Sequence, residues 1–248
     1  MGRIGWVDGL VRRIAHELLP PCCVLCGLRG AGRDLCAGCR AALPTDAHCC
    51  PRCALPLAHA AAACGACLAR PPAWRAMHVP FRYAWPLDRL VARYKYGGDL
   101  AAGALLSALL AEHVRSRVPD IDAIVPVPLS HARLRARGFN QALELSRPLA
   151  RALSLGMPHR ALWRCRETSA QSGLDAEARR RNVRGAFAAS RDVAGCRIAL
   201  VDDVVTTGAT AAACTRALHD AGARSVEVWA VARAPPPSSS SRQAGASA

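Results

Sequence analysis

Four Cys-x-x-Cys pairs in the first third of the chain limit what that part can fold into. The chain has 248 residues and thirteen cysteines, ten of which lie between Cys22 and Cys67. The paired cysteines are Cys23/Cys26, Cys36/Cys39, Cys50/Cys53 and Cys64/Cys67. Two residues between thiols let both sulfurs reach one ion, and two such pairs supply the four thiolates of a closed tetrahedral zinc site. The spacing predicts two structural zinc sites, with metal replacing a large core over residues 22–70.

The spacing alone does not decide how these cysteines pair. Pairing in sequence order and interleaved pairing both satisfy it. Cys22 and Cys49 each adjoin a pair member, and either could replace its neighbour as the ligand. A disulfide framework is the alternative to zinc and requires an oxidising compartment. Residues 1–20 lack the long apolar stretch and cleavage site of a secretory signal, so we expect zinc and a cytoplasmic location.

The segment 1–21 has an amphipathic pattern of its own. Apolar residues recur at roughly helical spacing from Ile4 to Leu18, and Arg12 and Arg13 lie on the opposite side. This pattern predicts a short helix that docks on protein, with peripheral membrane contact as the alternative. No run of 18 apolar residues exists, so no transmembrane helix is predicted.

Residues 73–232 alternate between strand-like and helix-like segments. The predicted strands are 77–83, 121–125, 161–165, 197–201 and 225–231, and the predicted helices are 87–94, 100–114, 140–153 and 209–221. The alternation predicts an α/β domain with a mostly parallel sheet. Residues 233–248, which are rich in proline and serine, are predicted to be a disordered tail.

One segment of this domain carries the chemistry. An apolar strand beginning at Ile198 leads to Asp202 and Asp203, and a loop of hydroxyls and glycine follows before a helix begins near Ala209. Ligands of open parallel sheets bind at the carboxyl ends of the strands. Backbone N–H groups at a helix N-terminus cradle phosphate, and carboxylates accept hydrogen bonds from ribose hydroxyls. The arrangement predicts a pentose 5-phosphate site.

The charge pattern also predicts an anionic ligand. Lysine and arginine total 33 against 18 acidic residues, a formal net charge of +15, and Lys95 is the only lysine. Residues 131–184 alone hold twelve arginines and four acidic residues. Arginines bind phosphate oxygens in bidentate fashion, and a run such as 179–181 also suits a nucleic-acid backbone.

The segment 198–210 resembles the phosphoribosyl pyrophosphate (PRPP) motif of type I phosphoribosyltransferases. The resemblance implies that Asp202 and Asp203 are catalytic residues that contact the ribose hydroxyls. It also implies Mg²⁺, bound together with PRPP. The residues that it assigns to the 5-phosphate are Thr206, Thr207, Gly208, Ala209 and Thr210.

The chain is similar to the ComF/GntX family, which is described as a double zinc ribbon joined to a type I phosphoribosyltransferase-like domain. The similarity lies in the cysteine pairs and in two further segments, one around Val127 and one around Thr168. The resemblance implies a pyrophosphate loop formed by Val127, Pro128, Leu129 and Ser130. It also implies a basic surround and lid formed by Arg133, Arg137, Asn140, Gln141, Thr168, Gln171, Arg181 and Asn182. Lys95 lies in a turn like the family's lysine-containing turn, and either a phosphate contact or a solvated surface position fits it.

The function implied by the resemblance is that of a PRPP-binding phosphoribosyltransferase linked to DNA uptake in natural competence. The reaction would transfer ribose 5-phosphate to an unidentified acceptor, and PRPP or another sugar phosphate would be the ligand. The alternative is a non-catalytic component that binds single-stranded DNA and works with competence proteins. The low aromatic content of 4% argues mildly against that alternative, because single strands stack on aromatic rings.

Overall fold

The computed structural model describes residues 22–29, 34–115, 121–166, 183 and 185–235. The amphipathic segment 1–21 and residues 236–248 of the expected tail lie outside the described residues. The same holds for the lid positions Thr168, Gln171, Arg181 and Asn182. In the part of the chain that is described, no helix is long and apolar enough to span a membrane.

Fourteen helices and strands make up the described fold, besides a 3-10 turn over Arg191–Val193. The helices are α1 (Ala37–Ala41), α2 (Gly65–Ala69), α3 (Leu87–Gly97), α4 (Leu100–Arg115), α5 (His131–Arg137), α6 (Gln141–Leu153) and α7 (Ala209–Asp220). The strands are β1 (Ala76–His78), β2 (Phe81–Arg82), β3 (Ala123–Pro126), β4 (Leu162–Arg164), β5 (Phe187–Ala189), β6 (Arg197–Val205) and β7 (Ser225–Arg233).

The main sheet is parallel throughout. Its order is β1-β7-β6-β3, and β2 pairs with the carboxyl end of β7. The last strand in sequence, β7, is therefore central, with β6 on one side and β1 and β2 on the other. Strands β4 and β5 form a separate antiparallel pair. The predicted α/β class with a mostly parallel sheet is confirmed.

Several elements differ from the sequence prediction in their bounds. The segment expected as one strand over 77–83 is two short strands, separated by Val79 and Pro80. Strand β6 continues through the acidic pair to Val205, because its backbone stays paired with β7. Strand β7 extends to Arg233, the residue that the sequence placed at the start of the tail. Helix α5 and strand β5 were not predicted.

Two apolar cores lie on opposite faces of the sheet, because successive strand residues point to opposite sides. Ile198 and Leu200 pack on the face covered by α7, while Ala199 and Val201 pack on the face covered by α3, α4 and α6. The cysteine-rich module contributes to both cores. Its first half supplies Cys23, Leu35 and Leu43 to the α3/α4/α6 face, and its second half supplies Ala54 to the α7 face. The module therefore contacts the α/β domain on both faces of the sheet.

Candidate functional site

Two groups of four cysteines form in sequence order. Cys23, Cys26, Cys36 and Cys39 make the first group, and Cys50, Cys53, Cys64 and Cys67 make the second. Within each group all Sγ atoms lie within 4.8 Å of one another. Two neighbouring sulfurs are 3.9 Å apart in the first group and 3.7 Å apart in the second. Zn–S bonds of about 2.3 Å in a tetrahedron separate the sulfurs by about 3.8 Å, so both groups fit zinc.

In each group the local backbone favours a thiolate at one cysteine, whereas burial and the neighbouring thiols raise the pKa of Cys39, Cys53 and Cys67. The N–H of Cys39 donates to Cys36 Sγ at 3.4 Å, and the N–H of Cys64 donates to Cys50 Sγ at 3.3 Å. Burial alone would raise the pKa of Cys23, but backbone N–H groups of neighbouring residues bond its sulfur and lower that pKa to about 6. The same balance lowers the pKa of Cys50 to about 7. Two structural zinc sites are therefore consistent with the geometry and with the chemistry of the donors.

A cavity of about 340 Å³ opens at the carboxyl ends of β3 and β6. It brings together the two segments that the sequence assigned to PRPP. Lining residues from the first segment are Val127, Pro128, Leu129, Arg133, Arg137, Asn140 and Gln141, and those from the second run from Asp202 to Ala211. Lys95 lines it as well. Ser130 does not line the cavity: its hydroxyl accepts from the N–H of Arg133 at 3.3 Å and caps α5.

The two acids at the end of β6 have different environments. Asp203 is largely buried and forms an ion pair with Lys95, with 2.9 Å between Lys95 Nζ and Asp203 Oδ2. Asp202 accepts a hydrogen bond from the N–H of Asp203 at 2.9 Å. Burial and the neighbouring Asp203 charge raise the pKa of Asp202 to about 7, although Lys95 opposes the shift. The two acids therefore differ: Asp203 is paired with a lysine, and Asp202 has a pKa raised to about 7.

Lys95 is not a solvated surface lysine. It comes from the last turn of α3, and only 16% of its side chain is exposed. The neighbouring Tyr94 is buried, and its hydroxyl donates to the carbonyl of Gln141 at 2.7 Å, which fastens α3 to the start of α6. A phosphate contact of Lys95 stays a prediction. The partner of Lys95 in the structure is Asp203, an acid of the same site.

The segment Thr206–Thr210, here called the phosphate loop, links β6 to α7. Gly208 caps α7 with a φ of +75°, a conformation that favours glycine. A Cβ on Gly208 would lie 3.0 Å from the ring of Trp74, so the backbone passes close to that ring. Thr207 Oγ1 accepts from the N–H of Ala209 at 3.3 Å. The loop therefore begins a twelve-residue helix, whose N-terminal N–H groups favour an anion.

Asn140 and Gln141 lie at the start of α6 and contact residues that precede it. Asn140 caps α6 and donates from Nδ2 to the carbonyl of Val127 at 3.1 Å. Gln141 Oε1 accepts from Arg137 at 3.2 Å. Among the described residues, Gln141 Nε2 is buried without a hydrogen-bond partner. Since Gln141 lines the cavity, this unused donor is suited to an oxygen of a ligand.

Several lining residues were not singled out from the sequence. Arg164 on β4 and Tyr83 after β2 both line the cavity. Tyr96, whose exposed fraction is 75%, lies under the guanidinium of the cavity residue Arg137, with 5.2 Å from Cζ to the ring centre. These three residues come from three separate segments, and the only signal in the sequence was the high arginine content of 131–184, which includes Arg164.

Comparison with known proteins identifies the family. Residues 14–68 match the double zinc ribbon domain. DNA utilization protein YhgH of Escherichia coli K12 is 38% identical over 224 residues, covering 87% of this chain and 98% of that protein. Competence protein F of Haemophilus influenzae is 35% identical over 224 residues, covering 86% of this chain and 96% of that protein. A solved structure, glutamine PRPP amidotransferase from B. subtilis, aligns with 55% of this chain at 19% identity and a TM-score of 0.36, and this chain covers 30% of it.

The cysteine groups and the sheet define a double zinc ribbon joined to a parallel α/β domain. The chain belongs to the family of competence protein F and DNA utilization protein YhgH. This is the ComF/GntX family, to which the chain is similar in its cysteine pairs and in the 198–210 motif.

Proposed function

We propose that the protein binds PRPP together with Mg²⁺ and transfers its ribose 5-phosphate to an acceptor in the handling of incoming DNA. The observation that carries the proposal is the single cavity lined by both acids, the phosphate loop and the basic residues. The names of the relatives, which refer to DNA utilization and to competence, support the link to DNA.

Each part of the cavity has a task in this proposal. The phosphate loop and the N-terminus of α7 hold the 5-phosphate, and Asp202 and Asp203 accept hydrogen bonds from the ribose hydroxyls. Arg133, Arg137 and Lys95 face the pyrophosphate, together with the loop Val127–Leu129. The unused Gln141 donor serves an oxygen of the same ligand. Mg²⁺ suits such a site because it binds through phosphate oxygens with few protein ligands.

The chemistry that follows is a displacement at ribose C1. A nucleophile on the acceptor forms the bond to C1, the bond from C1 to the pyrophosphate oxygen breaks, and pyrophosphate leaves with the electron pair. Mg²⁺ bound together with PRPP would supply neutralisation of charge on the leaving group. The acceptor loses one proton, and Asp202, with a pKa of about 7, is suited to take it. Positioning and charge neutralisation supply the rest.

Binding and exchange measurements test the proposal. Calorimetry with PRPP and Mg²⁺ is expected to show one site per chain, and labelled pyrophosphate is expected to exchange into PRPP once an acceptor is present. The double variant Asp202→Asn/Asp203→Asn is expected to lose both signals, and Asp192→Asn, an acid outside the cavity, is expected to retain them. Absence of PRPP binding in the wild type would refute the proposal.

A second candidate function is binding of single-stranded DNA. The exposed Tyr96 ring beside Arg137 favours it, because single-strand sites combine stacking rings with cations. Mobility shifts with an oligonucleotide are expected to weaken as salt rises, and Tyr96→Ala is expected to weaken them at every salt concentration. An affinity that changes neither with salt concentration nor on replacement of Tyr96 would exclude this function.

A further inference from the structure

The second zinc ribbon, which holds Cys50, Cys53, Cys64 and Cys67, is joined to the phosphate loop by hydrogen bonds and packing. Three consecutive carbonyls of its first Cys-x-x-Cys turn accept hydrogen bonds from the α/β domain. The N–H of Met77 donates to Pro51 at 2.9 Å, Trp74 Nε1 donates to Arg52 at 2.6 Å, and Arg233 Nε donates to Cys53 at 2.8 Å.

Arg233 connects that turn to the phosphate loop. Its Nη1 donates to the carbonyls of Val205 at 3.1 Å, Ala234 at 2.9 Å and Thr206. Only 7% of Arg233 is exposed, and none of the carboxylates in the described segments forms an ion pair with it. A tetrathiolate zinc site has a net charge of about −2, so the metal centre supplies the missing negative charge.

This contact sets the direction of the loop's backbone. In a trans peptide the C=O and N–H groups point in opposite directions. Because Arg233 holds the carbonyls of Val205 and Thr206, the N–H groups of Thr206 and Thr207 point away from it, on the side where these residues line the cavity. Those donors are the ones a phosphate needs.

Trp74 makes the second connection between ribbon and loop. Its indole N–H is bound to the ribbon, and its ring lies against Gly208, where a Cβ would approach it to 3.0 Å. A shift of the turn at 51–53 would move this ring, and Gly208 would lose the surface that supports its left-handed conformation.

The first zinc ribbon, which holds Cys23, Cys26, Cys36 and Cys39, lacks such contacts in the described structure. Its Val24 carbonyl accepts from Arg93, and its Arg40 pairs with Glu112 on α4. Both partners belong to α3 and α4, which pack on the other face of the sheet from Trp74 and α7. The two ribbons are therefore alike as metal sites and different in what they contact.

We propose that zinc in the second ribbon controls the phosphate loop through the positioning residues Arg233 and Trp74, so that metal occupancy there and binding of a phosphate ligand stabilise each other. Zinc in the first ribbon stabilises the fold without this coupling. The proposal rests on the proposed function in one respect, namely that the ligand of the cavity carries a phosphate.

A matched pair of cysteine variants tests the loop without any ligand. Cys36 and Cys64 are equivalent, because each precedes the short helix of its ribbon as N-cap residue. Cys64→Ser is expected to speed amide exchange of the peptide 202–210 by about tenfold or more, and Cys36→Ser is expected to leave it near the wild-type rate. Equal effects of the two variants would overturn the proposal.

Arginine variants separate coupling from general loss of stability. Arg233→Met is expected to reproduce the faster exchange at 202–210 while zinc content stays at two ions per chain by metal analysis. Arg40→Met removes a ribbon contact on the other face and is expected not to do so. If Arg233→Met fails to fold, Trp74→Phe, which removes only the indole N–H and part of the ring, is expected to give a smaller change of the same sign.

Protection of the second ribbon by a ligand in the cavity distinguishes coupling from a purely structural role. A purely structural role would leave the alkylation rate of the ribbon cysteines unchanged when the ligand binds. Pulsed alkylation of full-length protein, read peptide by peptide, is expected to slow severalfold at Cys50, Cys53, Cys64 and Cys67 when PRPP and Mg²⁺ are added, with no change at the first ribbon. Trp74→Phe is expected to reduce this protection. If PRPP does not bind, the proposed function fails while the exchange experiment still decides the coupling. If PRPP binds and alkylation of the second ribbon is unchanged, the coupling is refuted.

Discussion

Lys95 Nζ lies 2.9 Å from Asp203 Oδ2, so the chain's only lysine is paired with an acid of the candidate site. Both side chains are mostly removed from water, with 16% and 11% exposed. Lys95 pairs with Asp203, whereas burial and the Asp203 charge raise the pKa of Asp202 to about 7. A ligand that binds the acids with its ribose must share Asp203 with Lys95 or displace it toward the pyrophosphate.

The first prediction concerns the energy of this pair. Lys95→Met and Asp203→Asn are each expected to destabilise the fold, because each leaves one partly buried charge without its partner. A double-mutant cycle by urea unfolding is expected to give a coupling energy of about 1–2 kcal/mol. The exposed pair Glu144–Arg147 provides the control and is expected to give about 0.5 kcal/mol or less. A Lys95–Asp203 coupling no larger than the control would contradict the prediction.

The second prediction concerns pH and stability. The pKa of Asp202 is about 7 in the folded chain and 3.8 as its ordinary value, so between these limits the folded state binds more protons than the unfolded state. The free energy of unfolding attributable to Asp202 therefore falls as pH rises through this window. Asp202→Asn is expected to increase stability at both pH values, and the increase is expected to be larger at about pH 8 than at about pH 5 by on the order of 2 kcal/mol. Denaturant unfolding at the two pH values decides the matter, and equal effects at both would disprove it.

The third prediction concerns the glycine that supports α3. A Cβ on Gly103 would lie 2.5 Å from Cε2 of Tyr94, the residue that precedes Lys95 and bonds to Gln141. Gly103→Ala is expected to cost about 1–3 kcal/mol and to weaken PRPP binding by displacing Lys95. Gly97→Ala has open space around the new methyl group and is expected to be neutral or slightly stabilising. Urea unfolding measures the change in stability and calorimetry measures the change in PRPP binding. If Gly103→Ala leaves the free energy of unfolding unchanged, α3 shifts without an energetic cost and the prediction is wrong.

The fourth prediction concerns Gln141, whose buried Nε2 has no partner among the described residues. Gln141→Met is expected to change the free energy of unfolding by less than about 1 kcal/mol, because it removes an unsatisfied donor. The same variant is expected to weaken PRPP binding by about tenfold, since the ligand would lose that donor. Gln141→Glu keeps the acceptor for Arg137 and adds a negative charge, so it is expected to weaken binding further. Unaltered affinity in Gln141→Met would remove Gln141 from the binding site.

The local parts of this molecule were predictable from sequence. The cysteine pairs and the segment Asp202–Thr210 are contiguous motifs, and the apolar periodicity predicted the parallel α/β class. Contacts between distant segments were not predictable. From sequence, Lys95 fits either a phosphate contact or a solvated position until tertiary packing brings it to Asp203, and Arg233 reads as the start of a polar tail. In both cases the side chain's role depends on tertiary packing, which no local pattern encodes.

The bond from Arg233 to the carbonyl of Cys53 joins residues 180 positions apart, and it has a consequence for biosynthesis. The zinc ribbons leave the ribosome before the α/β domain and have all eight cysteines available for metal before that domain exists. Strand β7, which lies at the centre of the sheet, emerges after the other described strands. Until it emerges, the second ribbon lacks its arginine partner and β6 lacks its neighbour on one side. The eight cysteines are therefore available for metal before the α/β domain is complete, and the phosphate loop acquires its final form only after β7 has emerged.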